Sequence, residues 1–394
     1  MKERIQEMLK EVEADMISFA RELTRIKSYT GQEKDIVMHI RKKMLALGYD
    51  DVIVDGMGNV IGIIGNGPTR ILYDSHVDTV AVRDEQEWTA KPFGGELIDG
   101  NLYGRGAVDM KSAVAASVYA GYAMKKLKFH EGKTIYISTS VMEEDFDGES
   151  IFYECTEGGL NPDFTVICEP TQCKLAVGQR GRALIRIKMS GIPAHGGAPE
   201  KGDNPVYKTP EIIRRIEALG NKFMAMEGEK GSLALTCIEV EAASKNAIPS
   251  QCSIYVDRRL VKGEDETAME KEMNALLAGT DAAWEVYKVT QKSWTGRDIT
   301  LHSFMPAWEI DKEHLLTKAA IKAFSELNGA APELCKWDFS TNGVASMTRL
   351  GIPTIGFGPG DPKQAHCVDE HCPVEEIKKA FEFYIGLAAR VSAP

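Results

Sequence analysis

Short apolar runs that alternate with helical stretches constrain this chain more than any other feature of its sequence. The runs "RILYDSHVD" (70–78), "TIYISTSVM" (134–142) and "FTVICEPT" (164–171) each have strand length, and helical segments follow Lys111 and surround Ile151. Strands alternating with helices predict an α/β fold: a mixed, mostly parallel sheet with helices on both faces. Such sheets carry their sites outside the carboxyl ends of the strands. Before the first of these runs, Ile5, Leu9, Val12, Met16, Phe19 and Leu23 recur at three- and four-residue steps. That spacing predicts one helix over 2–26 with a single buried stripe. A second helix is expected over 34–47, ended by Gly48 as its C-cap.

Near residue 180 the pattern changes. In "RALIRIKM", Ala183, Ile185, Ile187 and Met189 alternate with Arg182, Arg186 and Lys188, as in a half-exposed strand. A helix carrying Ile212, Ile213, Ile216 and Leu219 follows, then strands "SLALTCIEVE" and "CSIYVDRRLV", a helix over 266–277 and strand "AAWEVYKVT". The order β-α-β-β-α-β is that of a ferredoxin-like α+β domain. After about Lys292 the first pattern returns, with helices expected over 311–327 and 374–391 around strand "GIPTIGFG". Residues 1–179 and 293–394 are therefore expected to form one α/β domain, interrupted by a smaller inserted domain over 180–292.

A length of 394 residues suffices for two such cores, and a formal net charge of -11 without any basic run disfavours nucleic acid or an anionic membrane as partner. No apolar run of about 18 residues is present to span a bilayer, and the charged start "MKERIQEMLKEVEADM" does not resemble a secretory signal. Eight cysteines lie scattered without a framework. Reduced thiols, and hence the cytoplasm, are expected.

Polar residues collect where the strands end. His76 and Asp78 close the first run, and residues two apart on an extended segment face the same way. Asp78 is thus placed to take the second ring N–H of a metal-binding His76, fixing its tautomer. Glu143 and Glu144 follow the second run, Glu169 the third, and His366 lies in "FGPGDPKQAHCVDEH" after the last strand, while Asp109 directly precedes an Ala-rich helix. Imidazole with carboxylate suits zinc and neighbouring divalent ions. Five candidate ligands, His76, Asp109, Glu144, Glu169 and His366, exceed what a single catalytic zinc takes. Two ions sharing Asp109 and a water account for all five, and Glu143 is left as general base.

With these residues the chain resembles the dinuclear zinc amidohydrolases and exopeptidases that include carboxypeptidase G, acetylornithine deacetylase and succinyl-diaminopimelate desuccinylase. The resemblance spans nearly the whole length, through "SHVDTV", "GRGAVDMK", "MEEDFDG", "CEPT", "GIPAHGGAPEKGDNP", "NAIPSQCSIYVDRR" and "AHCVDE" in that order. It implies one ion held by His76, Asp109 and Glu169 and another by Asp109, Glu144 and His366, zinc first among the metals, with cobalt or manganese as substitutes. Many relatives have Asp where this chain has Glu169. A cis peptide is implied at Asp109-Met110. The inserted domain resembles the family's lid and dimerisation domain, whose histidine, here His195, reaches the neighbouring subunit's site and stabilises the oxyanion. Asn246 and Arg259 match substrate-contacting positions, and Arg259 suits a substrate carboxylate. Gly358 and Gly360 would let backbone approach the ligand. The implied activity is hydrolysis of the amide in an N-acyl amino acid or small dipeptide-like compound by a homodimer. The alternatives are an N-carbamoyl amino acid amidohydrolase, or a protein that binds an amino-acid derivative without turnover.

Two lookalikes are set aside. Cys168, Cys173, His366 and His371 mimic zinc-finger pairs, but nearly 200 residues separate the pairs. The glycines of "GIIGNG" lead into a strand rather than a helix, unlike a dinucleotide fingerprint. His39, His130, His302 and His314 carry no functional expectation, and Asp338, Ser340, Thr341 and Asn342 are expected to line the pocket without an assigned role.

Overall fold

The computed structural model describes residues 1–83 and 85–392, and the chain divides into two compact units. The first comprises Met1–Gln179, Thr290–Ile299 and the chain from Glu309; the second comprises Arg180–Val289 and Thr300–Trp308. The second unit was expected to end at 292 without a return. Instead Phe304 and Met305 pair with Ala183 and Arg182, which carries that segment back to the second unit's sheet.

In the first unit the sheet runs, in spatial order, Asp51–Val54, Val60–Ile64, Lys133–Ser140, Thr69–His76, Phe164–Ile167, Thr354–Gly356 and Leu175–Gln179, with Leu334–Trp337 alongside the last. Its four central strands are parallel, and antiparallel neighbours flank them. Seven of the eight residues in Thr69–His76 are buried, so both faces of this central strand are covered. Helix α1 (Lys2–Arg25) and α2 (Lys34–Ala46) fall where the periodicity places them, and Gly48 takes the left-handed conformation expected of a helix terminus, with φ +75°. Helix α3 (Ser112–Lys126) is buried along nearly all its length. Its Ala, Gly and Ser residues allow it to lie close to the sheet, to α1 and to the helix Val374–Ala388.

The helix expected over 311–327 begins later, at Leu315, because the His314 ring accepts the Leu316 N–H and caps it there. Close packing also governs strand Thr354–Gly356. A Cβ on Gly356 would come 1.8 Å from the Trp337 ring, whose Nε1 donates to the Pro170 carbonyl at 2.9 Å beside Glu169. Gly356→Ala is expected to destabilise the protein by about 1–3 kcal/mol through overpacking. An unchanged melting temperature would show that the Trp337 ring has room to move.

The second unit's sheet runs Ser232–Glu241, Gln251–Leu260, Gly181–Ser190, Ala283–Val286, antiparallel throughout, with helices Thr209–Met224 and Glu266–Leu276 between its strands in sequence. This is the split β-α-β arrangement. Ala183, Ile185, Ile187 and Met189 are buried with Ile254, Val256, Ile212, Ile216 and Met273 in one core, and the alternate residues of the strand are half-buried. Among the described residues no helix is long and apolar enough to cross a membrane.

Candidate active site

The four central strands explain why residues so distant in sequence meet. Lys133–Ser140 pairs with Thr69–His76 in parallel register, His76 beside Ser140, and Asp74 stands beside Ile167 on the other neighbour. The strands therefore end at nearly one level. Glu143 and Glu144 lie just beyond the first, Asp78 beyond the second and Glu169 beyond the third. Strand Thr354–Gly356, beside Phe164–Ile167, leads into the loop that carries His366. Asp109 enters from the segment before α3, where the Asp109-Met110 peptide is cis.

Asp109 stands between the imidazoles, with Oδ1 2.8 Å from His76 Nε2 and Oδ2 3.2 Å from His366 Nε2. His76 Nε2 also lies 3.4 Å from Glu169 Oε1 and 3.9 Å from Glu143 Oε2, whereas His366 Nε2 lies 3.0 Å from Glu144 Oε2. Two groups of donors result, His76 with Glu143 and Glu169, and Asp109 with Glu144 and His366, the donor atoms of each lying within 4.8 Å of one another. The first group is buried in the sheet, while the His366 side chain is half exposed.

Asp78 does more than sequence spacing suggested. His76 Nδ1 is 3.0 Å from the Asp78 backbone carbonyl and 3.5 Å from its carboxylate, so both atoms face the ring nitrogen. The same carboxylate accepts the Glu143 N–H at 3.0 Å, the Glu144 N–H at 3.1 Å and the Thr30 hydroxyl at 2.9 Å. One side chain thus fixes the strand end carrying His76 to the turn carrying both glutamates.

Charge in the site is unbalanced. Five carboxylates, from Asp78, Asp109, Glu143, Glu144 and Glu169, surround two imidazoles. Burial, then repulsion from Asp109, pushes both Glu144 and Glu169 up to about 7. Burial raises Glu143 well above the usual carboxylate range. For Asp109, burial acts upward, but hydrogen bonds from His366 and His76 outweigh it and hold the carboxyl low. Hydrogen bonding to Asp109 and Glu144 lifts His366 to about 10. Buried acids in such excess require cations to be stable as carboxylates, and Glu143 Oε1 is buried without a hydrogen-bond partner. Donor types and charge therefore fit divalent metal ions.

Other expected positions are distributed as follows. Gly358 packs against the Cys168 and Glu169 carbonyls, where a Cβ would come within 2.2 and 2.3 Å, and Gly360 has φ +92° against Val108. Thr341 donates to Gln179 Oε1, Ser340 accepts from Gln179 Nε2, and Asn342 bridges Asp74 and Ser140. In the second unit His195 pairs with Ala247, and Gly196 N–H donates to the Asn246 carbonyl, which brings His195 and Asn246 together. Arg259 lies in strand Gln251–Leu260 with Nε held by Asp257 at 2.8 Å. The zinc-finger pairs do not form: Cys173 Sγ faces the Glu376 carbonyl, and His371 stacks on Tyr103. His39, His130, His302 and His314 have local partners, as expected of structural histidines.

Sequence reasoning missed Glu33, Arg105 and Glu370. Glu33 accepts the Gly31 and Met142 N–H groups and thereby holds the residue before Glu143. Arg105 and Glu370 form a buried ion pair beside Asp109. Both stood within the motifs "GRGAVDMK" and "AHCVDE", but an acid four residues past a histidine has no signal of its own without the fold.

Parallel strand ends that gather imidazoles and carboxylates around a cation-demanding centre define a metal-dependent hydrolase. The chain belongs to Peptidase family M20/M25/M40, whose profile matches residues 72–390. It is 38% identical to Uncharacterized protein YgeY of Escherichia coli over 93% of this chain and 92% of that protein. It is 28% identical to succinyl-diaminopimelate desuccinylase of Caulobacter vibrioides over 97% of each. Among solved structures it superposes on an M20 family metallo-carboxypeptidase of Sulfolobus solfataricus with TM-score 0.74 at 16% identity, covering 95% of this chain and 98% of that one. Human carnosine dipeptidase 1 gives TM-score 0.72 at 16% identity, covering 99% and 98%. These two likenesses concern the fold.

Proposed function

We propose that this hydrolase cleaves the amide bond of an N-acyl amino acid or a small dipeptide-like compound, using two divalent ions, zinc first among them. The observation that carries the reading is Asp109, whose two oxygens face two separate donor groups at 2.8 and 3.2 Å. His76, Asp109 and Glu169 would hold one ion, and Asp109, Glu144 and His366 the other. Bound there, a metal pair would polarise a substrate carbonyl and lower the pKa of a water. Glu143 takes that water's proton and passes it to the leaving nitrogen. Asp78 keeps His76 oriented and the two glutamates in place. The test is a panel of N-acyl amino acids, N-carbamoyl amino acids and dipeptides offered to zinc-reconstituted protein. Cleavage confined to the carbamoyl compounds would favour the runner-up reading, and cleavage of none would refute both. Arg259, together with Asn246, would receive a free carboxylate, so methyl esters of the same compounds are expected to turn over more slowly.

The second unit would act as lid and dimerisation domain of a cytoplasmic homodimer. Ser232–Glu241 is an edge strand with Ile238 and Val240 45% and 47% exposed, a surface suited to pairing with a second copy. His195 would then stabilise the developing oxyanion in the partner's site. His195→Ala is expected to lower kcat by about 10²–10³-fold, the loss of one oxyanion donor. Ile238→Asp is expected to give monomers by light scattering with a comparable loss. A fully active monomer would refute the shared site.

A further inference from the structure

We propose that the buried Arg105–Glu370 pair is a positioning device for the more exposed of the two ions, setting its affinity separately from that of its neighbour. The inference rests on the two-ion reading above. The two donor groups are supported differently. The His76 side is anchored in the ladder of the central sheet and is buried. His366 lies on a loop with its side chain half exposed and its backbone at φ +63°, a left-handed conformation uncommon among non-glycine residues.

Arg105 and Glu370 brace this loop. Arg105 Nη1 meets Glu370 Oε2 at 2.6 Å, with both side chains buried. Arg105 Nη2 donates to the His366 carbonyl at 3.4 Å. Glu370 Oε1 accepts the N–H groups of Val108 and Asp109 at 2.9 and 3.1 Å, and the Glu370 carbonyl accepts the Gly104 N–H at 2.9 Å. The pair therefore ties the segment bearing Asp109 to the loop bearing His366. Asp109 and His366 are two of the three donors on the His366 side. On the His76 side only Asp109 is held in this way, against His76 and Glu169, which rest on strand ends. Neither Arg105 nor Glu370 needs to touch an ion to discriminate between the two positions.

The test uses the full-length protein, stripped of metal and titrated calorimetrically with zinc, and with cobalt by visible absorption. Glu370→Gln keeps an acceptor for the two N–H groups but removes the charge opposite Arg105. Wild type is expected to bind two ions per chain. In Glu370→Gln the weaker equivalent is expected to lose about 10–100-fold in affinity, the usual effect of altering groups that orient ligands. The tighter equivalent should change by less than about threefold on the same scale, and the cobalt spectrum of the weaker equivalent alone should shift. If circular dichroism shows that Glu370→Gln does not fold, Arg105→Lys decides on the same readouts, because it keeps the charge but cannot serve both Glu370 and the His366 carbonyl. Equal weakening of both equivalents, or no change in either, would overturn the proposal. Fewer than two ions on wild type would instead remove the two-ion reading, and this inference with it.

Discussion

Glu143→Gln is expected to lower kcat by about 10²–10⁴-fold, the contribution of a positioned general base, while the protein keeps two metal ions and nearly unchanged KM. Gln matches Glu in volume but cannot take a proton from water. Glu143 suits the role because it is buried, carries an oxygen without a hydrogen-bond partner, and has its own N–H and those of the residues before and after it held by Asp78 and Glu33. Its Oε2 lies only 3.9 Å from His76 Nε2, so a ligand role is geometrically open to it as well. Metal content separates the two roles. If the variant loses an ion together with activity, Glu143 is a ligand and the base lies elsewhere. If it retains more than a tenth of wild-type kcat, no base is required at that position.

The second large effect concerns Asp109. Asp109→Asn keeps the side chain's size but removes the charge that both donor groups share, and it is expected to bind at most one ion and to lose as much activity as Glu143→Gln, or more. Ion loading should also be linked to protons. Glu144 and Glu169, at about 7 in the absence of metal, must be deprotonated to act as ligands. Both groups are raised above their ordinary value. Protonation of these two carboxyls competes with metal increasingly as pH falls below about 7, and His366, lifted to about 10, must also give up its proton, so apparent zinc affinity is expected to fall as pH falls, most steeply below about 7. Calorimetry at pH 7 in buffers of different ionisation heat should show net proton release on loading. An Asp109→Asn protein that still binds two ions would show that this carboxylate does not bridge.

Much of this site is legible in the sequence because its residues lie just past strand ends, and strand ends are marked by where the apolar runs stop. His76, Glu144 and Glu169 could be picked out in this way, Asp109 by its place before an Ala-rich helix and His366 by the loop that follows the last strand, and parallel register then places four of the segments at one edge. The split β-α-β unit was legible for a similar reason. Strict alternation in "RALIRIKM" reflects one packed and one half-open face. What the sequence could not supply was the support around these five side chains. Arg105, Glu370 and Glu33 act through backbone N–H and carbonyl groups of residues far away in the chain, and such contacts leave no periodicity. The return of Thr300–Trp308 to the second unit was hidden for a related reason, since a two-residue strand at 304–305 is too short to show a pattern.

The central claim is that Asp109 lies between two cations. Anomalous scattering from crystals grown with zinc tests it most directly. Two peaks are predicted, about 3.5–4 Å apart as in other two-metal sites, one beside His76 and Glu169, the other beside Glu144 and His366, with an Asp109 oxygen on each. A single peak, or two peaks with Asp109 in contact with only one, would contradict it.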